Sequence, residues 1–189
     1  KLKNIYFDKK DLLYCGENVI IGKTVRIRNP EKVSIGDNTI IDDFTYISGS
    51  LDLGVFTHIA AGVSIQGSKR KISIGDFVGI SSGVRIYAGS SNYVEAGLDL
   101  PTIPEEHSWN GIYEDCFIDH FCIIGANTVI LPGCKIPKGL TVAANLVVRK
   151  KLNLSPWHVL LDEDGKMIRR KKIQELQKRI AALTPKKYF

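Results

Sequence analysis

Four histidines stand in the chain: His58 in THIAAG, His107 after PTIPEE, His120 in CFIDHFCIIG, and His158 after Trp157. Histidine exchanges a proton readily near neutral pH, so each is a candidate general base for a hydroxyl nucleophile. His58 directly precedes an aliphatic position and points outward, which makes it the first choice. His120 is the second; it shares its place in the sequence pattern with Asp37, Asp76 and Lys138. His107 lies in a long loop from which it can reach a cleft, and His158 reads as structural. The four cysteines have no CxxC spacing, and no metal site is expected.

The elements that hold these histidines follow an unusual period. Ile35, Ile41, Ile47, Leu53, Ile59 and Ile65 fall every sixth residue. The pattern resumes at Ile74, Ile80 and Ile86, and again from Ile118 through Ile124, Ile130, Ile136 and Val142 to Val148. Six is neither the 3.6-residue period of a helix nor the alternation of a half-buried strand. Hexapeptide repeats belong to parallel β-helices, in which three units make one triangular coil. Each coil buries its aliphatic residues only against its neighbours. Ile35, Leu53, Ile74, Ile118 and Ile136 should therefore form one ladder, and Ile41, Ile59, Ile80, Ile124 and Val142 another. Cys122 and Cys134 fall on fifth positions and read as core thiols, whereas Cys15 and Cys116 read as lying outside the repeats.

Two interruptions break the period. GSKRK adds three residues between Ile65 and Ile74, a small corner bulge. Tyr87 to Cys116 is far longer than an ordinary connection and too apolar for a linker, so it should pack on a surface such as a neighbouring subunit. The predicted organisation is an N-terminal segment at 1–20, a β-helix at 21–150 with its inserted loop at 87–117, and a C-terminal hairpin and capping helix at 151–189. Asp164–Gly165 marks the hairpin turn. Ile173, Leu176, Ile180 and Leu183 have helical spacing.

The 189 residues carry a formal charge of +6, with basic clusters in VVRKK and MIRRKK. Such a surface suits a phosphorylated small molecule. No reader motif accompanies it, so nucleic acid is not expected. No apolar run is long enough to span a membrane and no leader is recognisable, which reads as a cytoplasmic protein.

The stretches NPEKVSIGDNTIIDDF, THIAAGVSI, IGDFVGISSGVRIYAGSSNY, LPTIPEE and IIGANTVILPGCKIPKGLTVAANLVV resemble the hexapeptide-repeat acyltransferases. Within that family the chain resembles the sugar O- and N-acetyltransferases of surface-polysaccharide (lipopolysaccharide) biosynthesis. That resemblance implies an all-β, left-handed parallel β-helix, a homotrimer, and acetyl-CoA bound between adjacent helices beside a sugar acceptor. It implies CoA contacts at Gly125, Ala126, Ala143 and Ala144, with Arg149 and Lys150 near the phosphates. His58, in THIAAG, matches the family's His-Ile-Ala segment, whose histidine lines the acceptor pocket. His120 is a second catalytic candidate on its own chemistry, since the family usually reads Gly-Asp there, and Asn92, Tyr93 and His107 are candidates for acceptor contacts.

Galactoside-type relatives carry a catalytic histidine just after the strand that ends here at Ile86, where this chain reads AGSSNY. Ser90, Ser91 and Asn92 cannot serve as that base. Either the base has moved or the acceptor is an amine that needs none. Two other classes share the architecture: a γ-type carbonic anhydrase, for which His58, His107 and His120 lack the spacing, and a non-catalytic structural β-helix.

Overall fold

In the computed structural model, which describes residues 4–183, the sixth positions fall into three parallel ladders. The first joins Cys15, Ile35, Leu53, Ile74, Ile118 and Ile136. The second joins Ile21, Ile41, Ile59, Ile80, Ile124, Val142 and Leu160. The third joins Ile27, Ile47, Ile65, Ile86, Ile130 and Val148. Apart from half-buried Cys15, every member is buried. The architecture is a left-handed parallel β-helix, the arrangement expected from the repeat and the resemblance. The first three residues of the 1–20 segment and the last six of 151–189 lie outside the described residues.

Two cysteines sit differently from expectation. Cys15 pairs with Ile35 and so takes the aliphatic place six residues before Ile21, while Cys116 pairs with Ile72 inside the coil and is buried. A thiol is small and apolar enough to stand in for an aliphatic side chain, which hides it from a search for Ile, Leu and Val.

The fifth position has its own logic. Buried Thr39, Thr45 and Thr128 each donate a hydroxyl hydrogen bond to the carbonyl fifteen residues on, at Gly54, Ala60 and Ala143. Cys122 does the same with Pro137 and Cys116 with Leu131. A threonine and a cysteine are interchangeable here because each supplies one short donor to the next coil.

The corners require left-handed backbone. Asn18, Asn38, Phe56, Phe77, Phe121, Gly139 and Trp157 occupy one corner in successive coils, all with φ between 53° and 70°. A bulky residue at positive φ is strained. Ring stacking offsets that strain: Phe56 lies 4.9 Å from Phe77, and Phe77 lies 5.4 Å from Phe121. Gly139 breaks the column, and a Cβ there would clash with the Trp157 ring at 2.3 Å. Trp157 lies over this gap and stacks on Phe121 at 5.9 Å and 18°.

GSKRK lies within one long strand, Ser64–Ile74, which bends through its corner against Tyr46–Leu53 with a register shift between Ser48 and Ser50. The inserted loop rises on an antiparallel stem, Gly89–Ser91 with Gly111–Tyr113. At the C-terminal end His158–Leu160 joins the second ladder and pairs antiparallel with Met167–Arg169, the turn closing at Gly165 with φ 94°. The helix α1, Ile173–Leu183, follows and buries Ile180 against the coil. Among the described residues no helix is long and apolar enough to cross a membrane.

Candidate active site

The corner before the second ladder decides what His120 does. Asp37 accepts the Glu17 backbone N–H at 2.8 Å, and Asp76 accepts that of Val55 at 2.7 Å. His120 continues the row: its Nδ1 accepts the Asp76 backbone N–H at 2.8 Å. In the neutral ring the proton then sits on Nε2. Asp119 accepts the His120 backbone N–H at 2.6 Å, and its carboxylate lies 3.8 Å from Nε2. His120 thus replaces an aspartate as the acceptor that fastens one coil to the one before it.

His58 stands on the outer side of His58–Ile59, opposite fully buried Ile59. Its Nε2 lies 2.8 Å from Oδ2 of Asp42, a corner residue of the preceding coil. With the proton shared there, Nδ1 is the nitrogen left to accept another. His58 borders a groove of about 400 Å³ between the coil and α1, lined mainly by Phe56, Phe77, Ile123, Leu176 and Ile180. His58 and the coil of His120 are two coils apart, as the register from His58 through Gly79 to Ile123 shows. Among the described residues, none from the inserted loop lines this groove.

The loop carries the three residues expected to contact an acceptor. Asn92 Oδ1 accepts the backbone N–H groups of Val94 and Glu95, both at 3.2 Å, and so closes the turn that carries Tyr93. Tyr93 is exposed and its hydroxyl meets Ser90 Oγ at 3.3 Å. His107 ends the short helix Glu105–His107 and is exposed. The side-chain amides of Asn92 and Asn110 both reach Glu95 Oε2, at 3.4 and 3.3 Å. Sequence reasoning passed over Glu95; the Asn-x-x-Glu spacing was its one signal. Asp42 was missed for a similar reason, since its partner is sixteen residues away across a coil.

The residues expected to hold CoA fall on two adjacent corners. Gly125–Asn127 and Ala143–Asn145 form one, and Arg149–Lys151 begin the next, with the strand Val147–Val148 between them. A Cβ on Gly125 would meet the Ala144 backbone nitrogen at 2.5 Å, so this glycine is demanded by coil stacking itself. Ala144 is exposed at the corner surface, and Ala126 and Ala143 are half-buried. Arg149 pairs with Glu163 at 2.9 Å, and Lys150 pairs with Glu114 at 2.5 Å. Arg149 beside Glu163 holds that carboxyl below the usual carboxylate range. Arg149, Lys150 and Lys151 join Lys135 around a cleft of about 600 Å³. Four cations on one cleft suit a polyphosphate. Among the described residues no group of three or more His, Cys, Asp or Glu is placed to hold a metal ion.

No family model matches the sequence. A dTDP-4-amino-4,6-dideoxy-D-glucose acyltransferase of Escherichia coli is 33% identical over 165 residues, covering 86% of this chain and 85% of that protein. The chain belongs to the hexapeptide-repeat sugar acyltransferases. As a member it is an acyl-CoA-dependent enzyme that acylates a sugar. AntD, an N-acyltransferase from Bacillus cereus solved with dTDP and 3-hydroxybutyryl-CoA, superposes with a TM-score of 0.83 at 31% identity, covering 95% of this chain and 98% of that one. A variant of AntD with dTDP-4-amino-4,6-dideoxyglucose and coenzyme A superposes with a TM-score of 0.84 at 31% identity, covering 96% and 99%. With a sugar acyltransferase 33% identical along most of the chain, the acyltransferase reading displaces both the carbonic anhydrase and the purely structural β-helix.

Proposed function

We propose that the protein transfers an acyl group, acetyl in the simplest case, from acyl-CoA to the amine of a dTDP-linked 4-amino-4,6-dideoxyhexose. The observation that carries this reading is the likeness, along most of the chain, to the Escherichia coli acyltransferase named for that sugar. The amine nitrogen attacks the thioester carbonyl. A C–N bond forms, the C–S bond breaks, and CoA leaves as the thiol while nitrogen sheds a proton. A neutral amine is nucleophilic without a base, so the protein is asked mainly for orientation and for a donor to the oxyanion. This suits a chain in which His120 Nδ1 is engaged by a backbone N–H and His58 faces the groove beneath α1. The His58–Asp42 pair is the feature that favours the second reading, a hydroxyl acceptor with His58 as base.

We assign the acceptor to the inserted loop around Asn92, Tyr93 and His107. We assign CoA to the outer face of the last coils, with its pantetheine along Gly125, Ala126, Ala143 and Ala144 and its phosphates at Arg149 and Lys150. The cationic cleft and the small residues of the neighbouring corner support that placement. A homotrimer completes the proposal, since Tyr93, Val94, Leu100 and Trp109 all stand exposed on the loop, and so much exposed apolar surface on one loop suits a subunit contact. The cellular setting is the cytoplasmic synthesis of a surface-polysaccharide precursor.

The test is thiol release and product mass with acetyl-CoA or 3-hydroxybutyryl-CoA and dTDP-4-amino-4,6-dideoxyglucose, compared with the same nucleotide sugar bearing a 4-hydroxyl. Acylation confined to the amine supports the reading. Equal or faster acylation of the hydroxyl overturns it.

A further inference from the structure

The three basic residues of the GSKRK bulge all hydrogen-bond the inserted loop or its exit, Lys71 through its backbone alone. Lys69 Nζ meets Glu105 Oε1 at 2.9 Å and lies 5.4 Å from the centre of the Tyr113 ring. Arg70 Nε donates to the Tyr113 carbonyl at 3.2 Å. The Lys71 backbone N–H donates to Asp115 at 3.0 Å, while its side chain pairs with Asp52 of the coil. The backbone fits as closely as the charges. Ser68 has a φ of 54°, and a Cβ on Gly89 would meet the Ser68 Cβ at 2.8 Å. Ser68 therefore sits directly under the first strand of the loop's stem. Arg70 and Lys71 grip the stem and its exit. Lys69 alone of the three reaches the far part of the loop, at the first residue of Glu105–His107.

We propose that this bulge is a positioning element for the acceptor site, with the Lys69–Glu105 pair setting how the segment that carries His107 lies against the stem that carries Asn92 and Tyr93. The inference rests on the reading that the inserted loop binds the acceptor. A loop of thirty residues, Tyr87 to Cys116, has two anchors where it leaves and re-enters the coil. A third anchor at Glu105 narrows the conformations from which it must be drawn when it binds. The pair is exposed on both sides, so its effect is moderate and falls with ionic strength. The loop's tie to the proposed CoA cations, Glu114 with Lys150, lies at its re-entry beside the Arg70 and Lys71 contacts and is left in place when Lys69 is changed, so the acceptor constant should move alone.

The experiment measures KM for the nucleotide amino sugar, KM for acyl-CoA, and kcat in Lys69→Ala, Lys69→Arg, Glu105→Lys and the swap Lys69→Glu/Glu105→Lys, with Tyr93→Ala as the loop's own probe. The expected result is an acceptor KM raised about 3- to 5-fold in Lys69→Ala, the scale of one exposed ion pair. CoA KM and kcat stay unchanged, and Lys69→Arg and the swap recover. In the wild type the acceptor KM rises with salt, and in Lys69→Ala it rises less steeply. If Tyr93→Ala raises the acceptor KM while Lys69→Ala does not, the loop reading stands and the positioning role is overturned. If neither moves it, both are overturned. If Lys69→Ala instead changes both KM values, kcat and the melting temperature together, the bulge is a stabilising contact and the proposal fails.

Discussion

His120 Nδ1 accepts the Asp76 backbone N–H, the same bond that Asp76 itself accepts from Val55 one coil earlier. His120→Asp keeps that acceptor and should leave the melting temperature and turnover near those of the wild type. His120→Ala strands the N–H at a part-buried corner, a loss of about 1–3 kcal/mol in stability. Thermal unfolding of the two variants side by side checks this, and equal destabilisation would refute the capping role.

His58→Ala gives the sharpest view of the acceptor. With an amine acceptor, turnover should stay within about tenfold of wild type, since a positioned general base contributes about 10²–10⁴-fold where one is needed. Steady-state rates on the amino sugar decide. A hundredfold loss with the fold and CoA binding intact would make His58 the base and reinstate the hydroxyl reading.

In the proposed CoA site, Arg149 and Lys150 share their donors with Glu163 and Glu114. Alanine at both cations should raise KM for CoA and leave kcat unchanged, because phosphate contacts are equal in ground and transition states. Glu163→Gln should act in the opposite direction, lowering KM for CoA by up to about 5-fold, since it frees Arg149 from one exposed pair. Steady-state kinetics measures both, and titration calorimetry with CoA alone gives the matching change in Kd.

Gly125 and Gly79 separate stacking from surface. A Cβ on Gly125 meets backbone at 2.5 Å, whereas one on Gly79 meets nothing within 4 Å. Gly125→Ala should cost about 1–3 kcal/mol, the usual scale of overpacking, and Gly79→Ala little. Urea unfolding reads the difference; equal midpoints would show that the coils can shift apart at no cost.

The thiols set an alkaline limit. Burial pushes Cys122 and Cys134 up to about 12. In the unfolded chain a thiol ionises near 8.5. A raised folded value means that the stability is present at lower pH and is lost as pH rises, because above about 8.5 the unfolded state has shed protons that the native state keeps. Stability should fall steadily from about pH 9 upward. At pH 8 a thiol reagent should label at most Cys15 in the native protein and all four cysteines in denaturant.

The ladders were legible because an interior row accepts little besides an aliphatic side chain, so each coil repeats the requirement. Cys15 and Cys116 escaped because a thiol meets that requirement in another alphabet. The capping helix was legible from Ile173, Leu176, Ile180 and Leu183. What joins different parts of the chain was not legible. Asp42 reaches His58 across one coil, Glu163 reaches Arg149 from the hairpin, and Lys69 reaches Glu105 from the bulge to the loop. Such pairs depend on where corners and loops bring side chains in three dimensions, and no period in the sequence records that.

Trp157 touches Phe121 past Gly139, and so reaches beyond its adjacent turn to the next one. In a solenoid each turn ordinarily interacts with its immediate neighbours alone, and an end can fray one turn at a time. Here the outermost turn is fastened to the second turn inward. Peeling it away also breaks the contact that closes over the turn between. The C-terminal end should therefore open in a step of two turns, and hydrogen exchange there should begin as one event spanning Phe121 to Trp157.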